Sequence, residues 1–252
     1  MKLLTLARDI QRRKAREKLG LFAAEGVRTV EELTRSRVPI RGVLVSPQLA
    51  DAPRGLALLG MLRTAGVETV EVTAAEFASA AETESPQGVL ALGQIPEARL
   101  EALALPPVAR IVVLDAVQDP GNAGTILRTA AALGAAGVAA MPGTVDLWNA
   151  KVVRSAMGAS FHLPVLSATW TELDDYRTTH NLTLWGADVG GPALESLVPP
   201  ARLGLIVGNE GGGLSGDARA RVDSLASLPI GSIVESLNVA VATGIFLYQL
   251  RT

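Results

Sequence analysis

The residues of this chain with the greatest chemical reach stand in three short stretches of its second half. In "QDPGNAGTILR" a loop runs into an alanine-rich helix carrying Asn122, Gly124 and Arg128. A guanidinium there can hold an anionic group through two parallel bonds. It follows Gly121 and Gly124 at helical spacing, which aims it back toward the loop. Asn122 stands where an N-cap would. In "GNEGGGLS" (208–215) Glu210 sits at the rim of three successive glycines, Gly211 to Gly213. Such a run is costly in conformational entropy and points to backbone that must pass close to a ligand. In "GSIVESLN" (231–238) Ser236 and Asn238 precede a final apolar helix, as caps or as ligand contacts.

Other chemistries are excluded by residue type. Cys is absent, so there is no thiol nucleophile, no disulfide framework and no Cys-based metal site. With His162 and His180 as the only histidines, a His-rich metal site is also excluded. Neither the dinucleotide fingerprint G-x-G-x-x-G nor a G-K-[ST] phosphate loop is present at the required spacing. This weakens the reading as a nucleotide-binding oxidoreductase.

The elements that must position these residues read as alternating strands and helices. In the first part, helices are expected over 4–19, 27–36, 54–66 and 74–82, with strands over 40–47, 67–73 and 88–95. Residues 96–110, "PEARLEALALPPVAR", break the pattern and read as a connection between domains. Strand-like runs then recur over 110–117, 137–141, 162–168, 181–189 and 202–208. Helices follow over 146–159 and 170–180, the latter with Thr169 and Thr171 as cap candidates. This alternation predicts an α/β protein with a mainly parallel sheet. Its ligand would sit outside the carboxyl ends of the strands, where all three loops fall. The last helix is apolar around much of its girth through Val239, Val241, Ile245, Phe246, Leu247 and Leu250. It is therefore expected to be buried or to lie in a subunit interface. The domain limits read as 1–96, a linker over 97–109, and 110–252.

The 252-residue chain has a formal net charge of −2, which by itself argues against a nucleic-acid partner. The opening segment differs: Lys2, Arg8, Arg12, Arg13, Lys14, Arg16 and Lys18 face only Asp9 and Glu17. It reads either as a solvated amphipathic helix or as a face that tracks phosphates. No apolar run is long enough to span a bilayer and no signal-peptide pattern opens the chain, so the expected compartment is the cytoplasm.

Together the three stretches resemble the SpoU/TrmH family of RNA 2′-O-ribose methyltransferases, in the SPOUT class. Asn122, Gly124 and Arg128 match its first motif. "GNEGGGLS" matches its second, and "LPIGSIVESLNVAVA" its third, in order across residues 110–252. The opening "RRKAREKLGLFAAEGVRTVEE" (12–32) resembles the appended substrate-binding domain of ribosomal-RNA members. One departure is Ala240, where the family commonly has serine.

The resemblance implies a C-terminal α/β domain with a deep trefoil knot, a smaller N-terminal α/β substrate-binding domain, and a homodimer joined through the C-terminal domain. It implies S-adenosylmethionine as methyl donor, without a metal, held around Gly208, Gly213, Leu228, Ile230 and Leu237. Asn122, Arg128, Glu210, Ser236 and Asn238 would carry the chemistry, with Arg128 acting at a site completed by the other subunit. Arg12, Arg13, Lys14 and Arg154 would contact RNA. The expected reaction is methylation of a ribose 2′-hydroxyl, in large-subunit ribosomal RNA ahead of transfer RNA. The alternative is a non-catalytic RNA-binding protein of the same fold.

Overall fold

The computed structural model describes residues 2–251. The described residues divide into two compact units: residues 2–97 with 148–162, and residues 98–147 with 163–251.

In the first unit, helices α1 (Leu3–Asp9) and α2 (Arg13–Leu19) precede strand β1 (Leu21–Glu25). Then come α3 (Val27–Arg35), β2 (Ile40–Val45), α4 (Pro53–Thr64), β3 (Thr69–Glu71), α5 (Ala74–Ala78) and β4 (Val89–Gln94). The sheet order is β1-β4-β2-β3. β4 pairs antiparallel with both neighbours, and β2 pairs parallel with β3. Leu6, Ile10, Leu44, Phe77, Leu90 and Leu92 are among its core residues.

Two expectations fail here. The helix expected over 4–19 is broken at residues 10–12. Arg12 is extended there, and the buried Arg16 donates to the carbonyls of Ile10 (2.7 Å) and Gln11 (2.8 Å) freed by the break. Arg16 therefore does not belong to an exposed basic face. Strand β1 was not anticipated, because a short apolar run between helix-like segments carries no period of its own.

The second unit holds β5 (Ala109–Leu114), α6 (Pro120–Ala132), β6 (Gly137–Ala140), β7 (Val165–Ser167), α8 (Trp170–His180 once the segment 148–162, with α7 at Ala150–Ser155, is counted) and β8 (Thr183–Ala187). It continues with β9 (Arg202–Val207), α9 (Gly216–Arg219), β10 (Ser224–Ala226) and α10 (Val239–Leu250). Its six-stranded sheet runs β10-β8-β9-β5-β6-β7, and every pairing is parallel. The near-continuous apolar strands anticipated this, since a strand buried on both faces has no polar alternation. β5 is buried along its whole length.

The segment read as a linker, 97–109, packs on this unit from residue 98 onward: Leu100 is buried in the core and the Leu103 carbonyl accepts from the Tyr176 hydroxyl at 2.7 Å. Conversely, residues 148–162, read as part of the second domain, group by contact with the first. Trp148 and Phe161 close on Phe22, with ring centroids 4.7 and 5.6 Å from it. Contacts distant in sequence decide both placements, and sequence order does not reveal them. The capping box at Thr169 with Glu172 starts α8, while Thr171 lies inside the helix.

Arg110 is a buried guanidinium whose hydrogen-bond partners among the described residues are all backbone carbonyls. It donates to Leu250 (2.8 Å), Ala109 (2.9 Å), Pro200 (3.0 Å) and Ala201 (2.8 Å). Burial lowers its pKa, yet the charge is retained because a guanidinium titrates far above neutrality. It thereby holds the carbonyl end of α10 to the start of the central strand. Arg110→Met should destabilise the protein by about 2–4 kcal/mol, since it strands several buried acceptors. Chemical denaturation would check this, and an unchanged midpoint would show the bonds to be dispensable.

Candidate active site

The helix after β5 begins three residues earlier than expected. Pro120 occupies its first turn, and Asp119, not Asn122, is the N-cap, accepting from the Asn122 backbone N–H at 2.7 Å. Proline at that point loses no helical hydrogen bond, and the aspartate satisfies an orphan donor. This frees the Asn122 side chain for other partners.

Those partners come from the other two stretches. The Asn122 amide donates to Glu210 Oε1 at 3.0 Å, and Asn238 Nδ2 donates to Asn122 Oδ1 at 2.9 Å. Each orientation is forced. A carboxylate only accepts, so Asn122 must turn its Nδ2 toward Glu210. Asn238 Oδ1 is already engaged by the N–H groups of Ala240 (2.9 Å) and Val241 (3.2 Å) as the cap of α10, leaving its Nδ2 for Asn122. Glu210 also accepts from the backbone N–H groups of Gln118 (3.3 Å) and Asp119 (3.1 Å). Burial pushes its carboxyl upward, but the bonds from Asn122 and the backbone outweigh this and hold it below the usual carboxylate range.

The glycine-rich stretch is shaped from within. A side chain on Gly208 would meet the Gly213 carbonyl carbon and oxygen at 2.3 Å, and Gly213 itself has φ +65°. These two positions require glycine. The run was expected to bring backbone near a ligand; part of its need is the loop's own close return. Asn209 clips that return together. Its Oδ1 accepts from Gly211 (2.9 Å) and Gly212 (3.0 Å), and its Nδ2 donates to the Ala116 carbonyl at 2.9 Å. Ala116 holds φ 55° in the left-handed region. Buried Asp115 accepts from the Ser215 N–H at 2.6 Å. Sequence reading missed Asn209, Asp115 and Asp119; the available signals were the place of Asn209 beside Glu210 and of Pro120 directly after Asp119.

At the carboxyl ends of β8, β9 and β10 lies a cavity of about 380 Å³, within the range of small-molecule sites, about 300–1,000 Å³. Gly208, Gly213, Leu228, Ile230 and Leu237, all expected around a ligand, line it, as do Glu210, Ser236 and Asn238. The stretch after β8, Asp188 and Val189, also lines it and was not anticipated. "QDPGNAGTILR" does not line it and reaches its wall only through Asn122. The third stretch does not follow a strand directly, because β10 ends at Ala226 and residues 227–238 form a loop.

Arg128 is exposed on α6, outside the cavity lining, and forms no hydrogen bond or ion pair among the described residues. Ser236 is exposed at the cavity rim. The remaining candidates lie in the first unit. Arg12 pairs with Asp9 at 2.9 Å and Arg13 with Glu17 at 2.8 Å, both largely exposed, and Lys14 is exposed beside them. Arg154 is half-buried, and its Nη1 is enclosed without a hydrogen-bond partner among the described residues.

A parallel sheet carrying a small-molecule cavity at its carboxyl edge defines an α/β protein that takes its ligand at the strand ends. Comparison with known proteins narrows this class. Residues 109–248 match the SpoU rRNA methylase family and residues 5–91 match an MRM3-like substrate-binding domain. The chain is 33% identical over 97% of its length to the 23S rRNA (guanosine(2553)-2′-O)-methyltransferase RlmP of Bacillus subtilis, covering 94% of that protein. It is 29% identical over 94% of its length to the 23S rRNA (uridine(2479)-2′-O)-methyltransferase of Streptomyces viridochromogenes, covering 84% of it. The crystal structure of the SpoU methyltransferase AviRb from Streptomyces viridochromogenes with AdoMet matches with a TM-score of 0.90 at 27% identity, over 98% of this chain and 96% of that one. The chain belongs to the SpoU rRNA methylase family.

Asn122→Asp tests the junction. It sets a second carboxylate against Glu210, and like charges at that distance repel. The variant should unfold several degrees below the wild type at pH 7. The gap should narrow as pH falls, because the repulsion raises the pair's affinity for a proton and one carboxyl then takes it up in the folded state. Thermal unfolding at pH 7 and at lower pH checks this; a gap independent of pH would remove Glu210 from the account.

Proposed function

We propose that this protein transfers the methyl group of S-adenosylmethionine to a ribose 2′-hydroxyl of large-subunit ribosomal RNA. The observation that carries the reading is the Asn238–Asn122–Glu210 junction beside the cavity, formed by the three stretches that match the family. The two full-length relatives named above are 23S rRNA 2′-O-methyltransferases, which supports ribosomal over transfer RNA. They act at different nucleosides, a guanosine and a uridine, so the reading stops at the ribose.

The cavity fits the donor by size and by lining. The closely folded Gly208–Gly213 backbone and the apolar Leu228, Ile230 and Leu237 suit a flat ring and its ribose. S-adenosylmethionine supplies an already activated methyl group on a sulfonium, so no metal is needed to labilise the bond. The protein's task is then mainly to hold the hydroxyl oxygen in line with that methyl. Asn122, Glu210 and Asn238 fix the loops that meet at the cavity, and Ser236 stands at its rim. Arg128, exposed and without a hydrogen bond or ion pair among the described residues, is suited to grip an RNA phosphate and to stabilise the developing alkoxide. A guanidinium is effectively always protonated, so proton removal falls to phosphate or water ahead of Arg128. In the first unit, Arg12, Arg13 and Lys14 offer a phosphate-tracking face, with Arg154 as a further RNA contact.

The same reading makes the active form a homodimer. Val241, Ile245 and Tyr248 share one face of α10 and are 52%, 39% and 54% exposed, an apolar stripe suited to a second copy. Arg128 would then serve a site completed across that interface. It also places the chain after β10 in a trefoil knot, a rare exception to unthreaded connections. In support, that chain returns from the sheet edge to α10, which packs on α6 with Gly244 against Thr129.

Arg128→Ala should abolish methyl transfer to 23S rRNA while leaving donor binding by calorimetry largely intact; full turnover would remove the assignment. Replacing Arg12, Arg13 and Lys14 by alanine should weaken RNA binding and flatten its dependence on salt. Equal slopes would return that segment to a solvated surface. Val241→Glu should turn the dimer into a monomer in sedimentation, and a persisting dimer would place the interface elsewhere.

A further inference from the structure

The cofactor reading leaves unexplained an ion pair at the far side of the cavity. Arg219 Nη2 meets Asp188 Oδ2 at 2.5 Å, with Asp188 largely buried and Arg219 about half exposed. No motif includes either residue. Their positions in the chain give the pair its interest. Asp188 opens the loop after β8, and Arg219 ends the short helix α9 that directly follows the glycine-rich loop after β9.

The loop after β8 holds one wall of the cavity. That wall, Ala226–Leu228, continues β10, a three-residue strand at the edge of the sheet. An edge strand this short has few ladder bonds to fix it. The loop adds what the ladder lacks. The Asp188 N–H donates to the Ala226 carbonyl at 3.0 Å, the Ser227 N–H to the Pro192 carbonyl at 2.8 Å, and the Leu194 N–H to the Ser227 carbonyl at 2.8 Å. Gly191 packs so tightly on this strand that a side chain there would meet the Ala226 nitrogen at 2.8 Å. Asp188 also shapes the loop itself, accepting from the Gly190 N–H at 2.8 Å through its other oxygen.

A second wall is the glycine-rich loop, tied down at Asp115 through the Ser215 N–H. Its exit helix α9 ends in Arg219. The ion pair is therefore a side-chain tie between the segments that form two walls of the cavity.

We propose that Asp188 and Arg219 form a clasp that holds the two walls at the spacing the methyl donor requires. The pair positions the donor pocket without touching the reacting atoms. This rests on the reading of the cavity as the S-adenosylmethionine site. A clasp of this kind acts on donor affinity, because it preorganises the pocket before binding. It leaves the alignment of hydroxyl and methyl to the Asn122 junction once the donor is seated.

The test is calorimetric titration of S-adenosylmethionine into wild type, Arg219→Ala and Asp188→Asn, with single-turnover methyl transfer to 23S rRNA at saturating donor for wild type and Arg219→Ala. A partly exposed ion pair is worth up to about fivefold in an equilibrium constant. Donor affinity of Arg219→Ala should fall by about that factor while its saturated rate stays within about twofold of wild type. Asp188→Asn keeps an oxygen for the Gly190 N–H but loses the charge, and should weaken affinity likewise. Raising salt should shrink the difference. Hydrogen exchange on the ligand-free protein should show faster exchange in Arg219→Ala at residues 188–194 and 226–228. Unchanged affinity and exchange in Arg219→Ala, or a loss of rate with affinity intact, would overturn the clasp. Absence of donor binding to the wild type would overturn the cofactor reading instead, and exchange would still decide whether the clasp orders the walls.

Discussion

Two asparagine amides and one carboxylate, Asn238, Asn122 and Glu210, join three segments that lie far apart in sequence. Each member has its orientation fixed by what the next can accept, so the junction has one arrangement and no slack. Glu210 is the anchor: it is held by two backbone N–H groups from the first loop and by the Asn122 amide. Remove the junction and the start of α6, the glycine-rich loop and the start of α10 lose their mutual register. The cap of α10 is part of the same device, because Asn238 satisfies the first N–H groups of the helix while reaching Asn122.

The parallel sheet makes this junction possible. With every strand of the second unit running the same way, the loops that leave the carboxyl ends gather on one edge. The strand order β10-β8-β9-β5 brings the ends of β9 and β5 side by side, which is how Glu210 reaches the backbone of Gln118 and Asp119. Arg110 acts at the other end of β5. By taking carbonyls from α10 and from the approach to β9, it fixes the last helix to the central strand. A cation bound by carbonyl dipoles alone gives firm attachment there without a second buried charge.

Much of this was legible in the chain. The apolar runs of β5 and β9 announced strands buried on both faces, the cap candidate at Thr169 announced a helix start, and the three polar loops pointed to one meeting place. What failed did so for identifiable reasons. Asn122 and Asp119 are both good caps, and Pro120, which suits a first turn, was the local sign in favour of the aspartate that the reading passed over. The break at residues 10–12 depends on Arg16 folding back onto freed carbonyls, an interaction no periodicity encodes. Residues 148–162 group with the first unit because Trp148 and Phe161 pack on Phe22, a contact distant in sequence.

Sequence by itself determined the types of chemistry available: no thiol, no metal cluster of cysteine or histidine, and three glycine-bearing loops whose residues match one family in order. Residue identity and spacing suffice for that, since they set which groups exist and which share a helix face or a strand end. Only tertiary structure decided how those groups are used. It set the Asn122 side chain between Glu210 and Asn238. It brought Asp188 and Val189 into the cavity wall, and left Arg128 exposed without a partner among the described residues. The physical reason is the same in each case. A polar side chain takes whichever donor or acceptor the fold brings within reach, and strand order, not sequence distance, determines which one that is.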